Sequence, residues 1–400
     1  MKYLIAGNGP AAVNAVKAIR ELDRDGCIVM VSPENNEPYS RITVPEYMAG
    51  EIAEKAIYFV PGFYARFGVE TRLGKRVVSL EPEAHIAVLD DGEQVAYDKL
   101  LIATGSRPFL PDWADLKLDG IYSLWNKVDA ERIAARIKPG DNAVIAGAGL
   151  VAFQAARALN AFGMPVTLVA RREIMSRQLD ARAAEILKAA AESHGVRILL
   201  HTSVEEVHAE NGAVTGVTLT NGETVRTNCL LACMGTLPNL DMLEGLLECG
   251  KGVSVDDTMK TALPDVYAAG DVASARMYGC DECCVRATWP NAVAQGEAAG
   301  KNMAGERTPF PGSRAMNSIE LFGVSFISAG QTEACENQRE IIIRNTDKAY
   351  HKVIMEGARL KGMTFAGEVQ QAGTLVAKMG DSYAGYIGTI PEFSPELIRE

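Results

Sequence analysis

An α/β fold with two dinucleotide-binding units and a small C-terminal α/β domain is predicted from three observations. Gly7-Asn8-Gly9-Pro10-Ala11-Ala12 follows the apolar run Lys2-Tyr3-Leu4-Ile5-Ala6 and opens a helical stretch. Gly147-Ala148-Gly149-Leu150-Val151-Ala152 follows Ala143-Val144-Ile145-Ala146 and opens another. Residues from about 311 to 400 then bring short strands of their own, such as Glu340 to Arg344. One glycine-rich match would be weak evidence. Two, each between a strand and a helix, argue for two Rossmann-type units taking two different dinucleotides. The glycines permit a tight turn and let backbone approach a pyrophosphate, which rests on the helix N-terminus. The expected cradles are Gly7, Gly9, Pro10 and Ala11 in the first unit and Gly147, Gly149, Leu150 and Val151 in the second.

The elements follow in order. The helix after the first turn directs Val13, Val16, Ala18 and Ile19 to a core, and Cys27 to Val31 reads as a buried parallel strand. Glu34 lies just past that strand, where an acid suits ribose hydroxyls. The turn from Pro38 to Pro45, with Arg41 inside it, is rich in hydrogen-bonding groups. The run from Tyr97 to Pro108 reads as an apolar strand ending in a small-residue turn, with Ala103-Thr104-Gly105 in it, whose backbone can lie against a flat ligand. In the second unit, Pro165 to Val169 is a strand followed by Ala170-Arg171-Arg172. The helix from Asp180 to Glu192 is expected to bury Ala184, Leu187, Ala190 and Ala191. Asn221-Gly222 reads as a hairpin turn, and the unit closes on the segment from Leu230 through Gly235 to Asn239. A last strand delivers Gly270-Asp271, and Thr288 caps a helix opened by Trp289-Pro290. Ala292, Gly296, Ala299 and Gly300 give that helix a face made for close packing.

Composition removes other classes. A formal net charge of −11 disfavours nucleic acid or an anionic membrane as partner. No apolar run is long enough for a membrane span. The chain begins directly with a strand and its 8 cysteines form no disulfide framework, so a reduced, cytoplasmic setting is expected. Cys280, Cys283 and Cys284 match no standard metal or cluster spacing and read as free thiols; no metal site is expected. The 5 histidines show no ligand spacing and are expected at the surface or at helix ends.

In this order the motifs resemble the pyridine nucleotide-disulfide oxidoreductases, flavoproteins of glutathione-reductase type. Pro38-Tyr39-Ser40-Arg41, Met48-Ala49-Gly50-Glu51, Arg177-Gln178-Leu179-Asp180, Trp289-Pro290-Asn291-Ala292 and Gln295-Gly296 are most similar to rubredoxin and ferredoxin reductases. The flavin half of nitrite reductases and flavin subunits of anaerobic multi-component oxidoreductases resemble the chain as well. The resemblance implies FAD at the first turn and NADH or NADPH at the second. It implies that Ala103, Thr104 and Gly105 return the chain to the flavin, and that Gly270-Asp271 sets an acid on its ribityl chain. It adds Pro45, Gly235 and Trp289 to the cofactor-binding set. Implied domains are 1–115 and 243–310 for FAD, 116–242 for NAD(P), and 311–400 as an interface domain packing on the flavin side. In that last domain Phe322, Phe326 and Tyr383 to Tyr386 are the exposed candidates.

Three departures from the family shape the expected chemistry. Glu34 to Glu54 contains no cysteine and the tail no His-Pro pair, which excludes the usual thiol–disulfide route. Where many relatives place a lysine and a glutamate beside the flavin, this chain has Glu46 and Gln154, so that ion pair is expected to be lost. Arg171 and Arg172 stand where NADH-specific relatives carry an acid, which favours NADPH through contacts to a 2′-phosphate. The expected function is hydride transfer between NAD(P)H and FAD, with electron exchange to or from an iron–sulfur carrier or partner subunit. A homodimer is the other expected association. The alternatives are an NAD(P)H oxidase reducing O2 and a non-catalytic flavin-binding subunit.

Overall fold

In the computed structural model, residues 1–278, 282–377 and 379 are described, and by internal contacts the chain forms two compact units. The first unit comprises residues 1–43, 53–107 and 236–314, and the second residues 44–52, 108–235 and 315–400. The tail therefore groups with the second glycine turn.

The first unit is built on a parallel five-stranded sheet in the order Val266–Ala268, Lys99–Ile102, Lys2–Ala6, Cys27–Ser32, Val69–Leu73. Strands with both faces covered read as continuous apolar runs, which is why Tyr3, Leu4, Ile5 and Leu100 to Ile102 are all buried. The helix Pro10–Leu22 buries Val13, Val16, Ala18 and Ile19, as its periodicity requires. Its partner is the helix Trp289–Met303. A Cβ on Gly296 would stand 2.1 Å from the Ala11 carbonyl oxygen, and one on Gly300 2.4 Å from that of Ala15. The small face is thus a backbone-to-backbone contact that no side chain can enter. Thr288 holds the N-cap position, but its hydroxyl accepts from the Asn291 side chain and caps no backbone N–H.

The second unit repeats the arrangement in the order Arg197–Leu200, Val166–Ala170, Ala143–Ala146, Cys229–Ala232, Ile121–Ser123, again all parallel. Asn221-Gly222 forms the turn between Ala213–Leu219 and Thr224–Arg226, with Gly222 at φ 84°. The helix Ala181–Ser193 buries Ala183, Ile186, Leu187 and Ala191, while Ala184 and Ala190 are only half-buried. Its apolar stripe is rotated by about one residue from the expected face, because the tail sheet also packs on this helix and draws Ile186 inward.

That tail sheet is antiparallel, ordered Met316–Leu321, Val324–Gly330, Arg359–Ala366, Tyr350–Glu356, Arg339–Asn345. Phe322 and Phe326 are buried, not exposed. Phe326 lies between Ile319 and Ala366, and Phe322 packs 5.5 Å from the His194 ring at the end of the 181–193 helix. Tyr383 to Tyr386 lie outside the described residues. His351 corrects the expectation of surface histidines: it is buried and stacked on Phe365 with ring centroids 4.3 Å apart. The tail is pinned by a buried ion pair. Lys352 Nζ lies 2.7 Å from Asp180 Oδ2, and also donates to the Thr332 carbonyl and Glu340. Asp180 further accepts from the Tyr350 hydroxyl at 2.9 Å and from the Ala183 N–H that it caps. Every proton of the ammonium has a partner, the condition under which a buried charge is tolerable.

Candidate dinucleotide-binding sites

Three separated motifs of the first unit meet at the N-terminus of the Pro10–Leu22 helix. Gly7 has φ 136°, and a Cβ there would stand 2.0 Å from the carbonyl oxygen of Ala103, so the Ala103-Thr104-Gly105 turn presses directly on the glycine turn. Gly9 caps the helix with no side chain, and a Cβ at Gly9 would meet nothing within 4 Å. The helix N-terminus is therefore open where a pyrophosphate would rest. Gly270, at φ 85°, approaches from the other side, its virtual Cβ 3.3 Å from that of Ala11.

Polar groups close the site on both flanks. Glu34 accepts from the Tyr39 hydroxyl and pairs with Arg41. Burial works against the Arg41 charge, but Glu34, Tyr39 and Asp271 raise its pKa overall. Burial lifts the Asp271 carboxyl above the usual carboxylate range, partly offset by a hydrogen bond from Ser106 at 2.8 Å and by Arg41. Thr104 Oγ1 donates to the Asn239 carbonyl at 3.1 Å, and Asn239 Nδ2 donates to the Thr104 carbonyl at 2.8 Å. Gly270 N–H donates to Gln295 Oε1 at 2.8 Å, which fixes the Gly270-Asp271 turn. Trp289 opens the closing helix with its ring 5.2 Å from Phe59. The side-chain oxygen of Asn8 is buried with no hydrogen-bond partner. An open helix end flanked by a half-buried acid and an orphaned buried oxygen fits a polyhydroxylated, anionic ligand such as FAD. Ser106 and Asn239 were not singled out from the sequence as site residues, and Gln295 entered only through the resemblance. Their partners lie 25 to 165 residues away, beyond any local pattern.

The second turn has the same backbone. Gly147 also has φ 136°, and its virtual Cβ would stand 2.1 Å from the Cys233 carbonyl oxygen. Gly149 caps the helix Leu150–Ala161 with open space above it. Gly235 lies two residues beyond Cys233, at φ 105°, and accepts from Phe109 N–H at 2.9 Å. Arg171 and Arg172 are exposed just past Val166–Ala170, and among the described residues neither forms a hydrogen bond or ion pair. Glu173 is paired with His201 at 3.3 Å. Burial pushes the Cys229 and Cys233 thiols up to about 12, so both are protonated at neutral pH and neither is a thiolate nucleophile.

Pro45 and Glu46 belong to the short helix Val44–Met48 of the second unit. Arg157 lies 3.3 Å from Glu46 and 3.0 Å from Glu51, one turn beyond the buried Gln154 on the Leu150–Ala161 helix. Glu46 and Gln154 form no ion pair with each other, and the charge on Glu46 is matched instead by Arg157.

The described cysteines are free; Cys283 is exposed and Cys284 half-buried, while Cys280 lies outside the described residues. Among the described residues no group of histidines, cysteines and acids could hold a metal ion, and no helix is long and apolar enough to cross a membrane.

Comparison with known proteins bears on this geometry. The chain is 33% identical over 352 residues to the NADH-dependent phenylglyoxylate dehydrogenase subunit epsilon of Aromatoleum evansii, covering 87% of this chain and 83% of that one. It is 28% identical to the NADH-rubredoxin oxidoreductase of Clostridium acetobutylicum, over 95% of this chain and 94% of the relative. A ferredoxin reductase from Rhodopseudomonas palustris shares the fold with a TM-score of 0.88 at 21% identity, covering 99% and 98% of the two chains. The sequence pattern of one family spans residues 1–296, and with it the two turns and the Gly270-Asp271 segment: the chain is an FAD- and NAD(P)H-using member of the pyridine nucleotide-disulphide oxidoreductases.

Proposed function

We propose that the protein moves hydride between NAD(P)H and FAD and exchanges the electrons with an iron–sulfur carrier or partner subunit. The convergence of the Gly7, Ala103 and Gly270 turns on one open helix end carries this reading. FAD, when bound, supplies the conversion between a two-electron hydride and single electrons. Gly7, Gly9, Pro10 and Ala11 would hold its pyrophosphate, Glu34 and Arg41 its adenosine side, and Ala103 to Gly105, Asp271 and Trp289 its flavin side. Gly147, Gly149, Leu150, Val151 and Gly235 would hold the nicotinamide coenzyme. No acid–base side chain is assigned, because hydride transfer between two cofactors requires none.

Arg171 and Arg172 support NADPH, since exposed guanidinium groups at that strand end suit a 2′-phosphate. The names of both relatives speak for NADH, so the reading is stated for NAD(P)H. The same names support an iron–sulfur protein or a larger complex as partner. With a net charge of −11 the contact is taken as apolar and subunit-like.

Anaerobic titration with NADH and NADPH in turn, followed by addition of rubredoxin or ferredoxin, tests the proposal. The yellow flavin bands should bleach with one equivalent of coenzyme and return with the acceptor. Bands that never bleach would identify a structural flavin subunit. Rapid peroxide formation without a protein acceptor would identify an oxidase.

A further inference from the structure

Asp271 is the acid set to meet the flavin's ribityl chain, and among the described residues it has a single hydrogen-bond donor, Ser106. Ser106 Oγ stands 2.8 Å from Asp271 Oδ2 across 165 residues of sequence, and Ser106 is only 7% exposed. The serine is itself held in place. Its neighbour Gly105 accepts from Asn239 N–H at 3.0 Å, and Arg107 on the other side bonds Asp241. The backbone just before Asp271 is fixed as well, because Gln295 accepts from the N–H of Gly270. Arg41 is the charged group that acts on Asp271, and it is shared with Glu34 and Tyr39.

We infer that Ser106 is a positioning residue for FAD: its hydroxyl aims the Asp271 carboxylate, so that the acid can accept from a ribityl hydroxyl. The inference rests on the FAD reading above. Burial disfavours the charged carboxylate, and a hydroxyl donor stabilises it. With Oδ2 occupied by Ser106, Oδ1 is left for the ligand. Arg41 cannot replace the serine, because its charge is already engaged by Glu34.

The test is FAD release from the full-length protein, read by flavin fluorescence on dilution between pH 5.5 and 8.5. Ser106→Ala should weaken FAD binding roughly tenfold at pH 8, the scale of one hydrogen bond to a charged group. The deficit should widen as pH falls, because Asp271 without its donor takes up a proton at higher pH than in the parent. Ser106→Thr keeps the hydroxyl and should restore most of the affinity. In Asp271→Asn, adding the serine change should cost little more and the extra pH dependence should vanish. Equal FAD retention by Ser106→Ala and the parent at every pH would overturn the inference. So would a deficit constant across the pH range, which a packing role alone would give. A parent protein that binds no FAD would instead overturn the flavin reading itself.

Discussion

At the two glycine turns the backbone is nearly the same, and the surroundings are not. Gly7 and Gly147 share φ 136°, each is pressed by a carbonyl, and Gly9 and Gly149 both cap a helix with nothing above them. Around the first turn the charges are drawn inward: Glu34 is held by Tyr39 and Arg41, and Asp271 by Ser106. Around the second, Arg171, Arg172, Glu173 and His201 all stand in solvent. A shell of mutually bonded charges suits a ligand that stays, because the groups are preorganised and already partly desolvated. Exposed charges suit a ligand that comes and goes, because they remain hydrated between visits. On the proposed assignment, the same turn serves a resident cofactor in one unit and an exchangeable coenzyme in the other.

The comparison breaks most sharply at the glycines. In Gly7→Ala and Gly147→Ala a methyl would overlap a backbone carbonyl in a conformation unfavourable to any side chain, at a cost on the order of 3–5 kcal/mol. Gly7→Ala should yield protein without flavin absorbance. Gly147→Ala should stay yellow yet no longer bleach with NADH or NADPH. Parallel loss of flavin in both variants, measured by absorbance ratio after purification, would show that the two turns do not serve separate ligands.

A smaller effect sharpens the second site. Replacing Arg171 and Arg172 by alanine removes a charge-assisted contact of about 1.5–3 kcal/mol. NADPH should weaken by roughly one to two decades while NADH is nearly unchanged. Equal KM changes for the two coenzymes would remove the arginines from the adenosine site.

The smallest effect concerns acid. The hydrogen bond from Lys99 holds the Asp265 carboxyl below the usual carboxylate range, at the edge strand of the first sheet. Because the folded pKa is depressed, the pair's stabilisation is present above the unfolded value of about 3.9 and is lost as pH falls through the folded one. It should amount to no more than about 1 kcal/mol for a partly exposed pair. Urea midpoints of Lys99→Met and the parent should differ at pH 6 and converge towards pH 3. A constant difference would mean that Lys99 acts by packing.

How much of this was legible follows from the range of each interaction. Both turns were plain, because strand, glycines and helix lie within about twenty consecutive residues. The small face of the last helix was also visible in its spacing, although its partner Ala11 was not. Phe322, Phe326 and His351 were misplaced because a half-buried strand and an exposed one alternate alike until the sheet that covers them is known. Lys352 resembles any surface lysine in sequence; only Asp180 and Glu340, brought close by the fold, make its burial possible. Arg157 escaped notice for the same reason.

The buried Asp180–Lys352 contact has a consequence for how the protein is made. Tyr350, the other partner of Asp180, is 170 residues downstream. At a synthesis rate of roughly 5–20 residues per second, that interval is roughly 10–30 s on the ribosome. The sheet of the second unit is complete once Cys229–Ala232 has emerged, whereas that of the first still awaits Val266–Ala268. The half translated later can therefore close its sheet first, with the carboxylate of Asp180 still solvated. The tail seals it last, so a nascent chain halted before Lys352 presents an apolar helix face and an unpaired acid, the kind of surface a chaperone would hold.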